Sequence, residues 1–155
     1  YHGNHEIWRW LRTKNIIERV NNILFVHGGI SDKLIQFGYS ITEINQYTRL
    51  NYTQANEKFL DPFLSIIYNS DSSPFRYNEY YQGNVTELQV DAALDHFGVN
   101  TIVTGHTIME HVSSFFNGKV INVNANHATG ISEGLFIRKN KFFRITSKGK
   151  KEKIK

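Results

Sequence analysis

The stretch Ile23-Leu24-Phe25-Val26-His27-Gly28-Gly29 decides how this chain folds. Four apolar residues run into a histidine that two glycines follow, a pattern typical of a buried strand that stops at a turn. The segment Thr101-Ile102-Val103-Thr104-Gly105-His106-Thr107 has the same character, with a glycine before its histidine. Sites of α/β proteins lie at the carboxyl ends of the strands, and imidazoles are good metal ligands. The two segments therefore predict histidines at strand ends, in a setting that suits a metal site.

Apolar spacing places helices mainly in the first two-thirds of the chain. They are predicted over residues 7–20, over 41–59 as one or two helices, over 62–68 and over 86–97. Ser31 or Asp32 is a candidate cap after the first histidine loop, and Thr42-Glu43 marks a plausible helix start. Thr86 is the capping candidate of the last helix, and Gly98 is expected to end it.

Strands alternate with tight turns in the last third of the chain. Including the two strands before the histidines, they are predicted over residues 22–26, 101–104, 112–116, 119–123, 134–138 and 141–145. Asn117-Gly118 is a strong signal for a two-residue hairpin, and Lys139-Asn140 is a weaker one. Mixed helices and hairpins indicate an α/β or α+β fold.

Length and composition limit the possibilities. At 155 residues, with 40% hydrophobic residues, the chain is long and apolar enough to form one globular domain. It has no cysteine, so any metal must be bound by nitrogen and oxygen ligands, which suits Mn, Fe, Zn or Mg. No apolar run approaches the roughly 20 residues that span a bilayer, so we expect no membrane partner. The compartment stays open, with the cytoplasm favoured.

The net charge of +4 comes largely from lysines near the end of the sequence. We interpret residues 148–155 as a flexible basic tail, and residues 1–147 as the domain. A nucleic-acid contact through this tail is not favoured, because no aromatic residues lie between its lysines.

The two histidine motifs have a third companion in Gly3-Asn4-His5-Glu6. This motif, then His27-Gly28-Gly29-Ile30, then Gly105-His106-Thr107, resembles in order the later half of calcineurin-like metallophosphoesterases. The nearest likeness is to the bacterial serine/threonine-phosphatase-like branch. The resemblance implies part of a β-sandwich flanked by helices, in which the glycines beside the histidines let the backbone turn sharply.

The family also carries Asp-x-His and Gly-Asp-x-x-Asp-Arg-Gly motifs ahead of Gly-Asn-His-Glu, which begins here at residue 3. We therefore expect this chain to be the C-terminal portion of such a domain, with the N-terminal strands missing. An apolar sheet face or edge left exposed in this way would favour self-association.

The resemblance assigns a role to each motif residue. Asn4, His27 and His106 are expected to bind one of the family's two divalent metal ions, which would be Mn, Fe or Zn. The bridging aspartate and the other ligands belong to the absent motifs, so this chain would hold at most one ion. His5 is expected to act as the general acid, because histidine titrates near neutrality.

Two further residues are weaker candidates for substrate binding. The segment 73–80 resembles a family stretch whose arginine is thought to face the phosphate, and Asn78 stands at that position. Arg76 is offered as a substitute, since a guanidinium binds phosphate through two hydrogen bonds, with a surface arginine as the alternative. His127 is the second candidate, near the mouth of the site, although its position favours an exposed turn histidine. Asn124 stands where the family usually has aspartate.

These residues predict a metal-dependent phosphatase that hydrolyses phosphomonoesters, with a phosphorylated protein or small molecule as the substrate. Phosphoserine and phosphothreonine are suggested by the nearest branch, and dinucleoside polyphosphates are an alternative within the class. A non-catalytic phosphate-binding or scaffold module is the alternative outside it. Asn78, Asn124 and the missing upstream motifs favour that module, whereas the motif residues favour the enzyme, namely Asn4, His5, His27 and His106.

Overall fold

The computed structural model describes residues 5–54 and 58–155, in which two β-sheets pack together and helices cover the outer face of one. The α-helices are α1 (Glu6–Leu11), α2 (Asp32–Ile35), α3 (Ile41–Asn51), α4 (Pro62–Asn69) and α5 (Glu87–Phe97). The strands are β1 (Ile17–Val20), β2 (Ile23–Val26), β3 (Thr101–Thr104), β4 (Ser113–Phe115), β5 (Val120–Asn122), β6 (Glu133–Arg138), β7 (Lys141–Thr146) and β8 (Lys151–Lys153).

The first sheet has the strand order β1-β2-β3-β5-β4. Its three central strands, β2, β3 and β5, are parallel, and the two outer strands pair antiparallel to their neighbours. Leu24 lies beside Ile102, which lies beside Val120, so the three strands are in register. Their carboxyl ends therefore meet at one edge of the sheet, where sites of α/β folds are found.

Side chains of the central strands alternate between two cores. Leu24, Ile102 and Val120 belong to the core formed with the helices. Val103 and Ile121 face the other way and pack with Phe142 of the second sheet. Every residue of β3 is buried, as expected for a strand covered on both faces. The predicted fold class, α/β with a β-sandwich flanked by helices, is confirmed.

Most of the predicted helix ends are found where the capping residues stand. The Thr86 hydroxyl accepts a hydrogen bond from the Gln89 backbone, and Gly98 ends α5 in a left-handed conformation with φ 61°. Ser31 is the cap of α2. Helix α3 begins one residue before the predicted Thr42-Glu43, because Ser40 and Glu43 form its capping box.

The helix predicted over residues 7–20 is wrong beyond Leu11, where α1 ends. Residues Ile17–Val20 form β1, which pairs antiparallel with β2. The buried Asn45 side chain also bonds this strand, since its Oδ1 accepts from the Ile17 amide and its Nδ2 donates to the Ile17 carbonyl. Long-range pairing therefore overrides the helical spacing of these apolar residues.

The second sheet is an antiparallel meander with the order β6-β7-β8. Lys139 and Asn140 join β6 to β7 with φ of 49° and 59°, the left-handed pair that a tight hairpin requires. The turn Phe116–Gly118 joins β4 to β5, but the loop between the paired residues Phe115 and Val120 has four residues and not the two that the Asn-Gly pair predicted. The segment 148–155 differs from the predicted flexible tail, because Lys151–Lys153 pair with β7.

No helix within residues 5–54 and 58–155 is both long enough and apolar enough to span a membrane.

Candidate metal centre

His27 and His106 come together at the carboxyl ends of the two adjacent parallel strands β2 and β3. The Gly105 amide donates to the His27 carbonyl at 2.8 Å, which extends the ladder beyond the last paired strand residues. The two imidazole rings lie 5.1 Å apart between centroids and meet edge to face, at 66°. Both side chains are exposed at the sheet edge. The structure therefore juxtaposes two of the three predicted ligands, although they are separated by almost eighty positions in the sequence.

The backbone that carries His106 adopts a strained turn. His106 has a φ of 58°, which is uncommon for a residue other than glycine, and the Thr107 amide donates back to the Gly105 carbonyl at 2.7 Å. A hydrogen bond across one residue with positive φ is the rare form of the γ-turn. Strain of this kind is concentrated at functional sites, where the surrounding structure must hold it.

Two asparagine side chains hold this turn. The Asn124 amide Nδ2 donates to the His106 carbonyl at 3.0 Å, and the Asn122 amide Nδ2 donates to the Thr107 carbonyl at 2.9 Å. An aspartate at position 124, the usual family residue, has no N–H to make the first of these bonds. The asparagine at this position therefore has a structural use here, beyond being a departure from the family pattern.

The electrostatics of His27 favour the form of imidazole that binds metal. Partial burial lowers the pKa of His27 below its ordinary value, and the nearby His106 lowers it further. Metal ligation requires neutral histidine, so a depressed pKa keeps the ligand ready at neutral pH. The pair fits a divalent ion through its nitrogen donors.

The glycines after His27 have a different role from the one predicted. Neither Gly28 nor Gly29 has a positive φ, so a sharp turn is not the reason for them. The backbone of residues 74–77 lies against Gly28 instead, and a Cβ there would come within 2.8 Å of the Tyr77 amide nitrogen. The Gly28 amide also donates to the Pro74 carbonyl at 2.6 Å. Glycine is needed here because a second loop approaches the strand end closely.

The same loop carries Arg76, one of the two candidate substrate-binding residues. The Arg76 guanidinium donates to the Tyr68 carbonyl at 2.7 Å, and Arg76 and His27 line the same groove. Asn78, at the position of the family arginine, accepts a hydrogen bond from the Gln82 side chain at 2.9 Å. Of the two, Arg76 is the residue that lines the groove beside the histidine pair.

The groove has a volume of about 860 Å³ and is mainly apolar. Its lining includes Trp8 and Leu11 of α1, Phe25 and Val103 of the first sheet, and Val123, which follows β5. Because His27 also lines the groove, an apolar surface lies beside one of the candidate metal ligands.

The remaining candidate site residues are Asn4, His5 and His127. Asn4 lies outside the described residues. His5 is exposed at the N-cap of α1, and its carbonyl accepts the Arg9 amide at 3.0 Å. His127 is exposed in a short 3-10 turn, where its Nδ1 lies 3.3 Å from the Ser132 hydroxyl. Within residues 5–54 and 58–155, His, Asp and Glu side chains form no group of three or more that could hold a metal.

The polar residues beneath the His106 turn were not predicted from the sequence. The Tyr81 hydroxyl bonds the Thr104 hydroxyl, and burial raises the pKa of Tyr81. Asn122 is completely buried at the end of β5. Its one signal in the sequence is a polar residue that follows the apolar pair Val120-Ile121 in a predicted strand.

Comparisons with known proteins agree with this fold. The sequence model of the calcineurin-like phosphoesterase family matches residues 1–110. No curated protein sequence gives a match. A crystal structure of the cold-active protein-tyrosine phosphatase of a psychrophile, Shewanella sp., is similar, with 35% identity and a TM-score of 0.88. It covers 97% of this chain and 46% of its own.

A second structure of a cold-active protein tyrosine phosphatase has 35% identity and a TM-score of 0.87, over 96% of this chain and 44% of its own. The chain thus spans less than half the length of these structures. The fold, the order of the motifs and the family match over residues 1–110 agree, and the chain belongs to the calcineurin-like phosphoesterase family.

Proposed function

We propose that this chain supplies one half of the active site of a metal-dependent phosphatase that hydrolyses phosphomonoesters. The observation that supports this most strongly is the pair His27 and His106, which meet at 5.1 Å on adjacent strand ends. A phosphoesterase family and two phosphatase structures of the same fold provide the chemical context.

Asn4, His27 and His106 would hold one divalent ion, with an amide oxygen and two imidazole nitrogens as donors. A divalent ion at such a site acidifies a water molecule and neutralises charge on the phosphoryl oxygens. The similar structures are more than twice as long as this chain, and we place the ligands of a second ion in the part of the domain that this chain does not span. Manganese, iron and zinc all suit this donor set.

The other polar groups would orient the substrate and move a proton. The His5 imidazole would donate a proton to the oxygen of the leaving group, a role that histidine fills more often than any other side chain. Arg76 would bind phosphoryl oxygens from the groove, because a guanidinium has five N–H donors and the bond to Tyr68 uses one of its nitrogens. His127 is the weaker candidate for a substrate contact.

Phosphorylated protein side chains are the proposed substrates. The motif pattern favours phosphoserine and phosphothreonine, whereas the similar structures are named protein-tyrosine phosphatases. The apolar groove beside His27 would accommodate an aromatic leaving group, which favours including phosphotyrosine. Dinucleoside polyphosphates remain an alternative within the class, to be tested in the same assay.

Metal stoichiometry tests the proposal directly. The chain is equilibrated with Mn²⁺, freed of excess ion and analysed for metal, and we expect about one ion per chain. His27→Ala and His106→Ala should each abolish uptake. His96→Gln is the matched control, since that histidine bonds the Tyr39 carbonyl far from the strand ends and its loss should leave uptake unchanged. A folded chain that binds no Mn²⁺, Zn²⁺ or Fe²⁺ would contradict the proposal.

The second candidate, a non-catalytic phosphate-binding or scaffold module, rests on Asn78 at the position of the family arginine. It predicts metal uptake and binding of phosphate, but no release of nitrophenol from p-nitrophenyl phosphate. Self-association through the apolar sheet face stays a prediction, and sedimentation velocity at two protein concentrations checks it.

A further inference from the structure

The turn that presents His106 rests on a buried network of uncharged side chains. Thr104, the last residue of β3, lies beside Asn122 in the strand register, so their side chains stand together under the turn. The Tyr81 hydroxyl bonds the Thr104 hydroxyl of this pair. Because Thr104 and Asn122 are both almost fully buried, each of these groups needs a protein partner.

Asn122 is used at both ends of its amide. Its Nδ2 donates to the Thr107 carbonyl at 2.9 Å, while its Oδ1 accepts from the Asn124 amide at 2.8 Å. The carbonyl partner requires a donor and the N–H partner requires an acceptor, so only one orientation of the amide satisfies both. Asn122 thereby fixes the far side of the γ-turn, and it holds Asn124 where that side chain can reach the His106 carbonyl.

The same network reaches the loop that carries Arg76. Tyr81 ends the 3-10 turn Glu79–Tyr81, five residues after that arginine. The start of the loop is tied to the other histidine strand, since the Gly28 amide bonds the Pro74 carbonyl at 2.6 Å. One loop is therefore anchored beside His27 at one end and beside His106 at the other.

We propose that Tyr81, Thr104 and Asn122 are positioning residues that hold the His106 turn and keep it in register with the Arg76 loop. They touch neither substrate nor metal and act through His106. The consequence for metal binding rests on the proposed function, whereas the effect on the turn does not. Outer groups that orient metal-binding histidines commonly change metal affinity by 10- to 100-fold when they are removed.

The experiment compares Tyr81→Phe with Tyr68→Phe in the metal-free chain. Both substitutions remove one hydroxyl, and the Tyr68 hydroxyl bonds the Thr48 carbonyl on α3, away from the turn. Amide hydrogen exchange is followed by NMR at Thr107, whose N–H closes the γ-turn. Loss of one hydrogen bond should speed exchange at Thr107 about five- to tenfold in Tyr81→Phe, and leave it unchanged in Tyr68→Phe. Equal exchange in the two variants would overturn the proposal.

Thr104→Val provides the second variant, because it removes the other hydroxyl of the same pair. Combined with Tyr81→Phe it should add little further exchange at Thr107, as expected for two halves of one interaction. Additive effects would show that the two hydroxyls act separately, which contradicts a shared network.

Zinc affinity, measured by isothermal titration calorimetry, separates positioning from packing. Tyr81→Phe should weaken Zn²⁺ binding about tenfold relative to Tyr68→Phe. Faster exchange at Thr107 with unchanged affinity would overturn the positioning role and leave only a packing role. If the unaltered chain takes up no zinc, the proposed function fails, and the exchange data alone still decide whether the network holds the turn.

Discussion

Two buried polar networks in this molecule differ in charge. The network beneath the His106 turn, formed by Tyr81, Thr104 and Asn122, contains hydroxyl and amide groups only. The network between the sheets is ionic and centres on Glu133, whose side chain is 5% exposed. Glu133 accepts from the Val112 amide at 2.9 Å and lies 3.0 Å from His111 Nδ1 and 3.9 Å from Arg144 Nε. Arg144 continues to Glu152 at 2.6 Å.

The difference shows what each network is suited to do. Uncharged groups keep their hydrogen bonds at any ordinary pH and salt concentration, which suits a turn whose geometry must not vary. A buried carboxylate pays a desolvation cost unless it is paired, but its bonds to charged donors are the stronger ones. Glu133 joins the start of β4 in the first sheet to β7 in the second. The ionic network thus fastens two layers, and the neutral one shapes a site.

Glu133→Ala should cause the largest loss of stability. It leaves the buried Val112 amide without its acceptor, which costs up to about 3 kcal/mol, and it removes the carboxylate beside His111 and Arg144. Urea denaturation measures the loss. Glu133→Gln keeps the shape and one acceptor oxygen, so its loss should be clearly smaller. Equal losses in the two variants would mean that the charge, and not the side-chain volume or the acceptor oxygen, carries the effect. Exchange at Thr107 should not change in either variant, because the two networks are separate.

Gly28→Ala should follow, with a loss of about 2 kcal/mol from overpacking. The added Cβ would come within 2.8 Å of the Tyr77 nitrogen and 3.0 Å of the Pro74 oxygen, both of which are backbone atoms. Gly134→Ala is the matched control, because its Cβ would meet only Ile145 Cγ2 at an ordinary 3.6 Å. Thermal unfolding compares the two variants. A loss in Gly134→Ala as large as that in Gly28→Ala would contradict the steric explanation.

Features that depend on neighbouring residues in the chain could be predicted from the sequence. Strands β2 and β3 were predictable because short apolar runs end at glycine and histidine, a local pattern that burial on both faces produces. The ends of helix α5 were predictable from Thr86 and Gly98, because a capping residue bonds backbone groups only a few positions away in the chain. The motif order then indicated the family, which the match over residues 1–110 confirms.

Features that depend on distant partners could not be predicted. Ile17 satisfies helical spacing, yet it lies in a strand because Val26 pairs with it and Asn45 bonds it. The Tyr81–Thr104 bond joins residues 23 positions apart, and no local pattern announces it. The close approach of the 74–77 backbone likewise gave the glycine at position 28 a role that its neighbours in sequence do not reveal.

Thr104→Val tests the uncharged network beneath the His106 turn. Loss of one buried hydroxyl bond should cost about 1 kcal/mol, less than either change above. Because no charge is involved, the loss should be the same in about 0.05 M and about 1 M salt. It should also be the same at about pH 6 and about pH 8. Guanidinium chloride would itself screen charges, so urea is the denaturant to use. A loss that shrinks markedly in salt would show that the network is coupled to a charged group.

An exposed ion pair should give the smallest effect. Lys119 Nζ lies 2.6 Å from Asp91 Oδ1 and 2.7 Å from Glu87 Oε1, on the surface between α5 and β5. The hydrogen bond from Lys119 lowers the pKa of Glu87 below 4.5, and the bonds to Asp91 and then Glu87 raise the pKa of Lys119 above 10.5. These contacts are exposed to solvent, so their effect on stability is small and is reduced by salt.

The signs of these shifts define the pH window. The contribution of Glu87 is present above pH 4.5 and is lost as the pH falls through its lower folded pKa. That of Lys119 is present below pH 10.5 and is lost as the pH rises through its higher folded pKa. Lys119→Met should therefore lower the melting temperature slightly at neutral pH and have no effect in strong acid. A difference in melting temperature that persists unchanged in acid would mean that the aliphatic stem of the lysine stabilises the protein by packing against α5. Charge would then matter for the buried network around Glu133 but not for this exposed ion pair.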